Sequence, residues 1–189
     1  MKSTTVNKLL ITASSLVIAL GLGNAQAGPV KAVADIYGPG IEGQAHLEED
    51  GRGNVHISIN VKGDPGTLTP GLHGTHIHAI GACSPTFAAA GGHFDPGPNG
   101  NPNPVTNHPY HMGDIPNLEV NENGVGHLST VTSRVTLSPS DVSLFDADGS
   151  AIIIHQGADQ RSCNADPVTG QCTGASGGAR IACGVIRLK

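Results

Sequence analysis

Residues 54–61 read NVHISINV, and this stretch decides the fold class. Its apolar and polar residues alternate, so every second side chain lies on the same face of an extended chain. The alternation predicts a β-strand with one buried side and one side turned to water. The buried side consists of Val55, Ile57, Ile59 and Val61.

The sequence on either side of this strand has the same rhythm. The turn-rich segment EEDGRGN, residues 48–54, connects it to an earlier strand around Gln44–Glu48. Clusters of Gly, Asp and Asn such as NENG and DADG separate several other apolar runs. Many short strands with such punctuation predict an all-β sandwich or barrel. The other strands are expected at Val30–Ile36, Thr75–Ile80, Val125–Val131, Ala151–His155 and Arg180–Leu188.

Two long segments do not follow this rhythm. Ala82–Asn117 is rich in Pro, Gly and Asn, and Gln156–Ala179 is rich in Gly, Asp and small residues. Loops of this length inside a compact domain are usually functional or disordered. The first contains His93, His108, His111 and Asp114, and the second is bounded by His155 and Arg180, so we expect both loops to be functional.

The first 27 residues are expected to be a secretory signal peptide. Lys2 and Lys8 form a basic start, a largely apolar run follows, and AQA at 25–27 is a small-x-small cleavage pattern. The apolar run is too short to span a membrane, and no cysteine for a lipid anchor follows the expected cleavage point. The mature protein is then a single domain over residues 28–189 without a membrane anchor, exported to the periplasm or the extracellular medium.

The chain has four cysteines, and an even number in an exported protein predicts two disulfides. Sequence alone allows three pairings. Cys163 and Cys172 are close together in a glycine-rich polar stretch, which favours a local bridge and leaves Cys83 with Cys183. A thiolate metal site is the alternative, but no C-x-x-C spacing supports it.

The charge balance argues against two classes of partner. Without the two leader lysines, the chain has 8 basic and 15 acidic residues and a formal charge of −7. Such an acidic protein is a poor candidate for binding nucleic acid or an anionic membrane. Tryptophan is absent and aromatic residues are scarce, which argues against a base-stacking surface.

Histidine is the anomaly of the composition. All ten histidines lie after the leader, and seven fall between His73 and His127. THIH at 75–78 places two imidazoles on one face of a strand, and HMGD at 111–114 places a carboxylate three residues after an imidazole. Imidazole with carboxylate suits zinc, whereas imidazoles alone suit copper. The histidine groups therefore predict two adjacent metal sites.

Five motifs taken in order resemble a known family. GLHGTHIHAIG, GGHFDP, HMGD, HQGAD and GGARIACGVI closely resemble segments of the secreted copper/zinc superoxide dismutases. The resemblance covers about Val30 to the C-terminus. It implies a Greek-key β-barrel or immunoglobulin-like sandwich with two long functional loops. It also implies copper and zinc as cofactors and superoxide as the substrate.

The resemblance assigns a role to each motif. It implies that zinc binds the bridging histidine, His111 and Asp114, and that Asp159 links the copper-bound and zinc-bound histidines. It further implies that His73 is a buried structural histidine, that Arg180 attracts the anionic substrate, and that Cys83 and Cys183 form a disulfide. The implied copper ligands are His76, His78, the bridging His93 and His155.

The zinc site departs from the family pattern. In typical members the second zinc histidine follows the bridging one after a short gap, whereas here only His108 lies between His93 and His111. His108 is therefore the expected third zinc imidazole. The extra cysteine pair, Cys163 and Cys172, is a second departure and is expected to brace the second long loop.

The implied reaction is dismutation of superoxide to dioxygen and hydrogen peroxide, with copper alternating between Cu(II) and Cu(I). In the family's scheme His93 separates from copper on reduction and carries a proton that the peroxide later receives. Arg161 and Arg180 are expected to make the mouth of the site locally positive.

The residues alone leave other readings open. The alternative functions are a copper-donor protein on the same fold, a structural or adhesive sandwich with a vestigial site, and a zinc hydrolase. The full set of imidazoles and Arg180 argue against the first two, and the zinc group offers no free carboxylate for the third. The sequence leaves both a monomer and a homodimer open.

Overall fold

The computed structural model describes Met1 and residues 28–96, 111–161 and 176–189. Over these residues the chain forms ten β-strands and one short 3-10 helix at Phe87–Ala90. The strands expected from sequence are confirmed, with the run at Arg180–Leu188 divided into two strands; two further strands of three residues each, Gly71–His73 and Leu118–Val120, lie outside the expected set. In chain order the strands are β1 (Val30–Gly38), β2 (Ile41–Glu49), β3 (Val55–Gly63), β4 (Gly71–His73), β5 (Thr75–His78), β6 (Leu118–Val120), β7 (Val125–Thr132), β8 (Ala151–His155), β9 (Arg180–Val185) and β10 (Arg187–Leu188).

The strands form a single antiparallel sheet that curls back on itself. Its order is β4-β6-β7-β3-β2-β1-β9-β8-β5, and β10 pairs with β1. The two ends of this path, β4 and β5, are separated in sequence by Gly74 alone. Gly74 donates its N–H to the carbonyl of Gly157 at 2.7 Å, and its own carbonyl accepts the N–H of His155 at 2.8 Å. The sheet is therefore a nearly closed barrel, which confirms the expected all-β fold.

The core lies inside this barrel. On β3 the residues Val55, Ile57, Ile59 and Val61 are all buried, with no more than 3% of their surface exposed. The intervening polar residues lie on the outer face. The structure therefore confirms the alternation predicted from NVHISINV. The apolar face of the strand packs in the main core cluster.

The connection between β7 and β8, residues 133–150, is anchored to the barrel by one carboxylate. Glu49, at the end of β2, is 8% exposed. Its Oε2 accepts the backbone N–H groups of Leu137 at 2.5 Å and Ser138 at 2.6 Å, and its Oε1 accepts the Ser138 hydroxyl at 2.5 Å. Burial raises the pKa of Glu49, but these hydrogen bonds lower it by more, so the group is ionised at neutral pH.

A disulfide joins Cys83, in the loop after β5, to Cys183 on β9. The two cysteines are 100 positions apart, and both are buried. The bridge ties the first long loop to the barrel wall. Cys163 and Cys172 lie outside the described residues. Across the described parts of the chain, no helix has the length and apolar character needed to cross a membrane.

Candidate metal centre

Four buried imidazoles converge on one point. His76 and His78 lie on β5, His155 ends β8, and His93 lies in the loop after the 3-10 helix. Each offers a ring nitrogen, and these atoms lie within 4.8 Å of one another. His76, His78 and His155 are at most 4% exposed, and the His93 side chain is 8% exposed.

A second group shares His93 with the first. His93, His111 and Asp114 also offer ligand atoms within 4.8 Å of one another. The Nδ1 of His93 lies 2.6 Å from Oδ1 of Asp114, and the Nδ1 of His111 lies 3.2 Å from Oδ2. One imidazole therefore belongs to an all-nitrogen group and to a group that contains a carboxylate.

The backbone of Ile77 brings the three segments together. Its N–H donates to the carbonyl of Gly113 at 2.9 Å, and its carbonyl accepts the N–H of Phe94 at 2.9 Å. Gly113 in turn donates its N–H to the carbonyl of Phe94 at 2.8 Å. Because Ile77 lies between His76 and His78, these bonds place both loop segments directly against β5.

The approach at Gly113 requires glycine. A Cβ atom built there would lie 2.2 Å from the carbonyl oxygen of Ile77, closer than any real contact allows. The glycine of HMGD therefore has a steric reason: it lets the loop that carries His111 and Asp114 approach β5.

Hydrogen bonds fix the orientation of the imidazoles in the all-nitrogen group. The Nδ1 of His78 lies 2.9 Å from the carbonyl of Gly91, and the Nδ1 of His155 lies 2.8 Å from the carbonyl of Gly178. With Nδ1–H as the donor, each ring keeps a lone pair on Nε2. The two Nε2 atoms are buried and make no hydrogen bond within the described residues. Buried polar atoms are normally satisfied, so these two nitrogens fit a metal-binding role, and such backbone partners are typical of metal-ligating histidines.

Burial keeps the histidine ring nitrogens unprotonated at neutral pH and therefore able to bind a metal. Burial lowers the pKa of His155 to about 3 and that of His93 to about 4, and it lowers the pKa of His78 well below its usual range. These imidazoles are therefore neutral at pH 7, which is the form that binds metals. Burial raises the pKa of Asp114, but hydrogen bonds from His111 and His93 lower it by more, so this carboxyl group is ionised.

Asp159 connects the second long loop to the site. Its Oδ2 lies 2.9 Å from Nε2 of His76, and both side chains are almost fully buried. Asn117 holds it there: the amide of Asn117 donates to the carbonyl of Asp159 and accepts its N–H, both at 3.0 Å. No sequence pattern indicates Asn117, because these two hydrogen bonds of its side chain are made to backbone groups.

Arg180 lies beside the all-nitrogen group at the start of β9. Its Nη1 donates to the carbonyl of Phe87 at 2.7 Å and its Nη2 to that of Gly91 at 2.6 Å. The carbonyl of Gly91 is also the partner of His78. After burial, which is the largest cause, the charge of Arg180 is among the causes that lower the pKa values of His78 and His155. Arg180 is therefore within electrostatic reach of both rings.

The remaining predicted residues take three different positions. His73 is 2% exposed, with Nδ1 2.8 Å from the carbonyl of His155 and Nε2 2.8 Å from that of Thr69. Arg161 extends its Nη2 to the carbonyl of Ile115 at 3.1 Å. His108, the expected third zinc imidazole, lies outside the described residues.

Comparison with known proteins identifies a family. The family model described as copper/zinc superoxide dismutase (SODC) matches residues 41–186. A superoxide dismutase [Cu-Zn] of Brucella abortus biovar 1 (strain 9-941) is 32% identical over 188 residues, covering 95% of this chain and 99% of that protein. Superoxide dismutase [Cu-Zn] 1 of Salmonella typhimurium (strain 4/74) is 39% identical over 127 residues, covering 63% of this chain and 65% of that protein.

A solved structure is similar over most of the chain. The crystal structure of the clock protein EA4 superimposes with a TM-score of 0.66 at 28% sequence identity. The match covers 85% of this chain and 96% of that chain.

Proposed function

The chain belongs to the copper/zinc superoxide dismutase family, and from this membership we propose how its residues carry out the reaction. It is an oxidoreductase that converts two superoxide anions and two protons to dioxygen and hydrogen peroxide, and its cofactors are copper and zinc. When bound, copper supplies one-electron redox chemistry, whereas zinc does not change oxidation state. The protein's own tasks are to hold the metals, to attract an anion and to deliver protons.

The metal ligands follow from the two groups. Copper is assigned to the four imidazoles of His76, His78, His93 and His155, and zinc to His93, His111 and Asp114 with His108 as the expected fourth ligand. The single observation that supports this assignment is that four buried ring nitrogens lie within 4.8 Å of one another and that one of the rings also belongs to the carboxylate group. The donor types agree, because imidazoles suit copper and imidazoles with a carboxylate suit zinc.

His93 is the residue that carries a proton. Its Nδ1 lies against the carboxylate of Asp114 and its ring also belongs to the all-nitrogen group, so the proton is assigned to Nε2. A proton held at Nε2 is delivered to the reduced oxygen species as peroxide forms. The zinc group, to which Asp114 belongs, would keep the ring in one orientation while the proton moves.

Arg180 attracts the substrate. The protein is acidic overall, so superoxide must be drawn in by a local field rather than by net charge. Hydrogen bonds to the carbonyls of Phe87 and Gly91 fix the guanidinium in place beside His78. A fixed positive charge at this position raises the local concentration of an anion at the site.

The chain is exported. The expected leader, the Cys83–Cys183 disulfide and the bacterial relatives support this. Periplasmic and extracellular locations are distinguished by fractionating cells and medium. Sedimentation of the mature protein decides between the monomer and the homodimer.

The assignment of copper is tested by metal analysis combined with a superoxide assay. The mature protein should contain near-stoichiometric copper and zinc and lose its activity on chelation. His155→Ala should lose copper and activity together while retaining zinc. His46→Ala, the same change at an exposed histidine on β2, is the matched control and should keep both metals.

Two results would count against the proposal. A fully active His155→Ala variant would remove His155 from the copper site. Stoichiometric copper without superoxide dismutase activity in the unmodified protein would favour the copper-donor alternative.

A further inference from the structure

Arg134 lies at a point where the barrel meets the zinc group. It lies two residues after the end of β7, in the connection to β8, and its backbone N–H donates to Oγ1 of Thr132 at 3.2 Å. The next residue, Val135, is fully buried. The backbone that carries Arg134 is therefore anchored in the core on one side and to the end of β7 on the other.

The guanidinium of Arg134 reaches the ends of the HMGD turn. Its Nη1 donates to the carbonyl of His111 at 3.0 Å, and its Nη2 donates to the carbonyl of Asp114. The turn is closed by the N–H of Asp114, which donates to the same His111 carbonyl at 3.1 Å. One planar fork therefore spans the first and last residues of this turn.

These two residues are also the ones whose side chains contribute to the zinc group. Within the turn the N–H of His111 donates to Oδ2 of Asp114 at 3.0 Å, so the relative position of the two side chains depends on the backbone conformation of the turn. We propose that Arg134 is a positioning residue for zinc: by binding both carbonyls it fixes the spacing of His111 and Asp114 before the metal arrives. This inference rests on the assignment of zinc to His111 and Asp114.

The proposal predicts the direction in which zinc affinity changes when Arg134 is replaced. A positive charge near a cation site disfavours the cation, so if Arg134 acted only through its charge, removing it would raise zinc affinity. If it acts by holding the turn, removing it lowers zinc affinity. Lysine separates the two effects, because it keeps the charge but lacks the planar fork that binds two acceptors at once.

The test measures zinc affinity by competition with a chromogenic chelator, using the full mature chain. Loss of a partner that orients a metal ligand typically weakens metal binding about 10- to 100-fold. We expect Arg134→Gln to weaken zinc binding by about tenfold or more. Arg134→Lys should weaken it as well, and the visible spectrum of Co²⁺ bound in place of zinc should change in both variants.

Three reference variants make the result specific. Arg187→Gln removes an exposed arginine that pairs with Asp35 and should leave zinc affinity unchanged. Glu49→Gln loosens the same β7–β8 connection at a point away from the turn. It should lower the melting temperature of the metal-free protein without changing zinc affinity. His111→Ala removes a proposed ligand and should abolish tight zinc binding.

The outcomes distinguish an error in the role of Arg134 from an error in the zinc assignment. If His111→Ala loses zinc while Arg134→Gln keeps wild-type affinity or binds zinc more tightly, the role of Arg134 is wrong. If His111→Ala also keeps zinc, the zinc assignment itself is wrong. If Glu49→Gln weakens zinc binding as much as Arg134→Gln, the effect belongs to the stability of the connection and the positioning role is refuted.

Discussion

The Cys83–Cys183 disulfide allows a quantitative prediction about stability. It closes a loop that contains more than half of the chain, because the two cysteines are 100 positions apart. In the chain-entropy description, a cross-link stabilises the fold by restricting the unfolded chain, and the effect grows with the logarithm of the loop length. Alanine at both positions is the appropriate change, because both cysteines are buried and serine would introduce unsatisfied hydroxyls.

The expected loss is large compared with the stability of a domain. A closed loop of 100 residues corresponds to about 4.7 kcal/mol at 25 °C. Total unfolding free energies are about 5–15 kcal/mol, so the change removes about 30% or more of the total. At about 2–4 °C per kcal/mol for a domain of this size, the melting temperature should fall by about 10–20 °C.

Urea unfolding of the metal-free protein measures this loss without a contribution from bound metal. The double variant Cys83→Ala/Cys183→Ala should show a lower midpoint and a steeper dependence on urea, because its unfolded state exposes more surface. The control is Cys163→Ala/Cys172→Ala, whose expected bridge spans only nine positions and corresponds to about 2.6 kcal/mol by the same relation. If the long-loop variant loses no more than the control, the entropic reasoning fails.

Three further changes test the site and the fold. Arg180→Ala should lower the rate constant for superoxide about tenfold and flatten its dependence on ionic strength, while copper content stays unchanged; equal rates at low salt, followed by stopped-flow, would contradict its role. Gly113→Ala should weaken the binding of both metals and destabilise the metal-free protein by about 1–3 kcal/mol, because the new Cβ would overlap the Ile77 carbonyl; calorimetry and metal analysis measure the two effects. Glu49→Gln should cost about 2–3 kcal/mol at pH 7, because hydrogen bonds to an ionised group are lost. Folding lowers the pKa of Glu49, so its contribution is complete above its ordinary value of 4.5 and is lost as the pH falls through the lower folded value; urea curves of wild type and variant should therefore converge at acid pH, and a constant difference would refute the cause.

The fold was predictable where strands were long enough to show their period. The alternation along β3 gives four buried residues on one face, and the structure places all four in the core. β4 and β6 contain three residues each, which is too few for an alternation to be visible. These short strands exist because neighbouring strands offer them hydrogen-bonding edges, and a single sequence does not contain that information.

The site was predictable to the extent that regular structure positions it. His76 and His78 share a face because they are two residues apart on a strand, and His155 follows from the end of another strand. His93 and His111 lie in loops, and hydrogen bonds that include those to the backbone of Ile77 hold these loops against β5. Their assignment from sequence needed the family resemblance, because spacing along the chain does not reveal which loops meet.

Asn117 and Arg134 show why some supporting residues have no sequence signal at all. Both bind backbone carbonyls, and every residue has a carbonyl, so the sequence of the partner segment does not reveal the contact. Neither contact requires a particular residue type in the partner segment. Each requires only that a backbone carbonyl lie within hydrogen-bonding distance in the folded chain. Metal affinity in this protein should therefore depend on residues outside the motifs that identify the family. The strongest such dependence is expected at Arg134, where one side chain connects the barrel to both ends of the turn that carries His111 and Asp114.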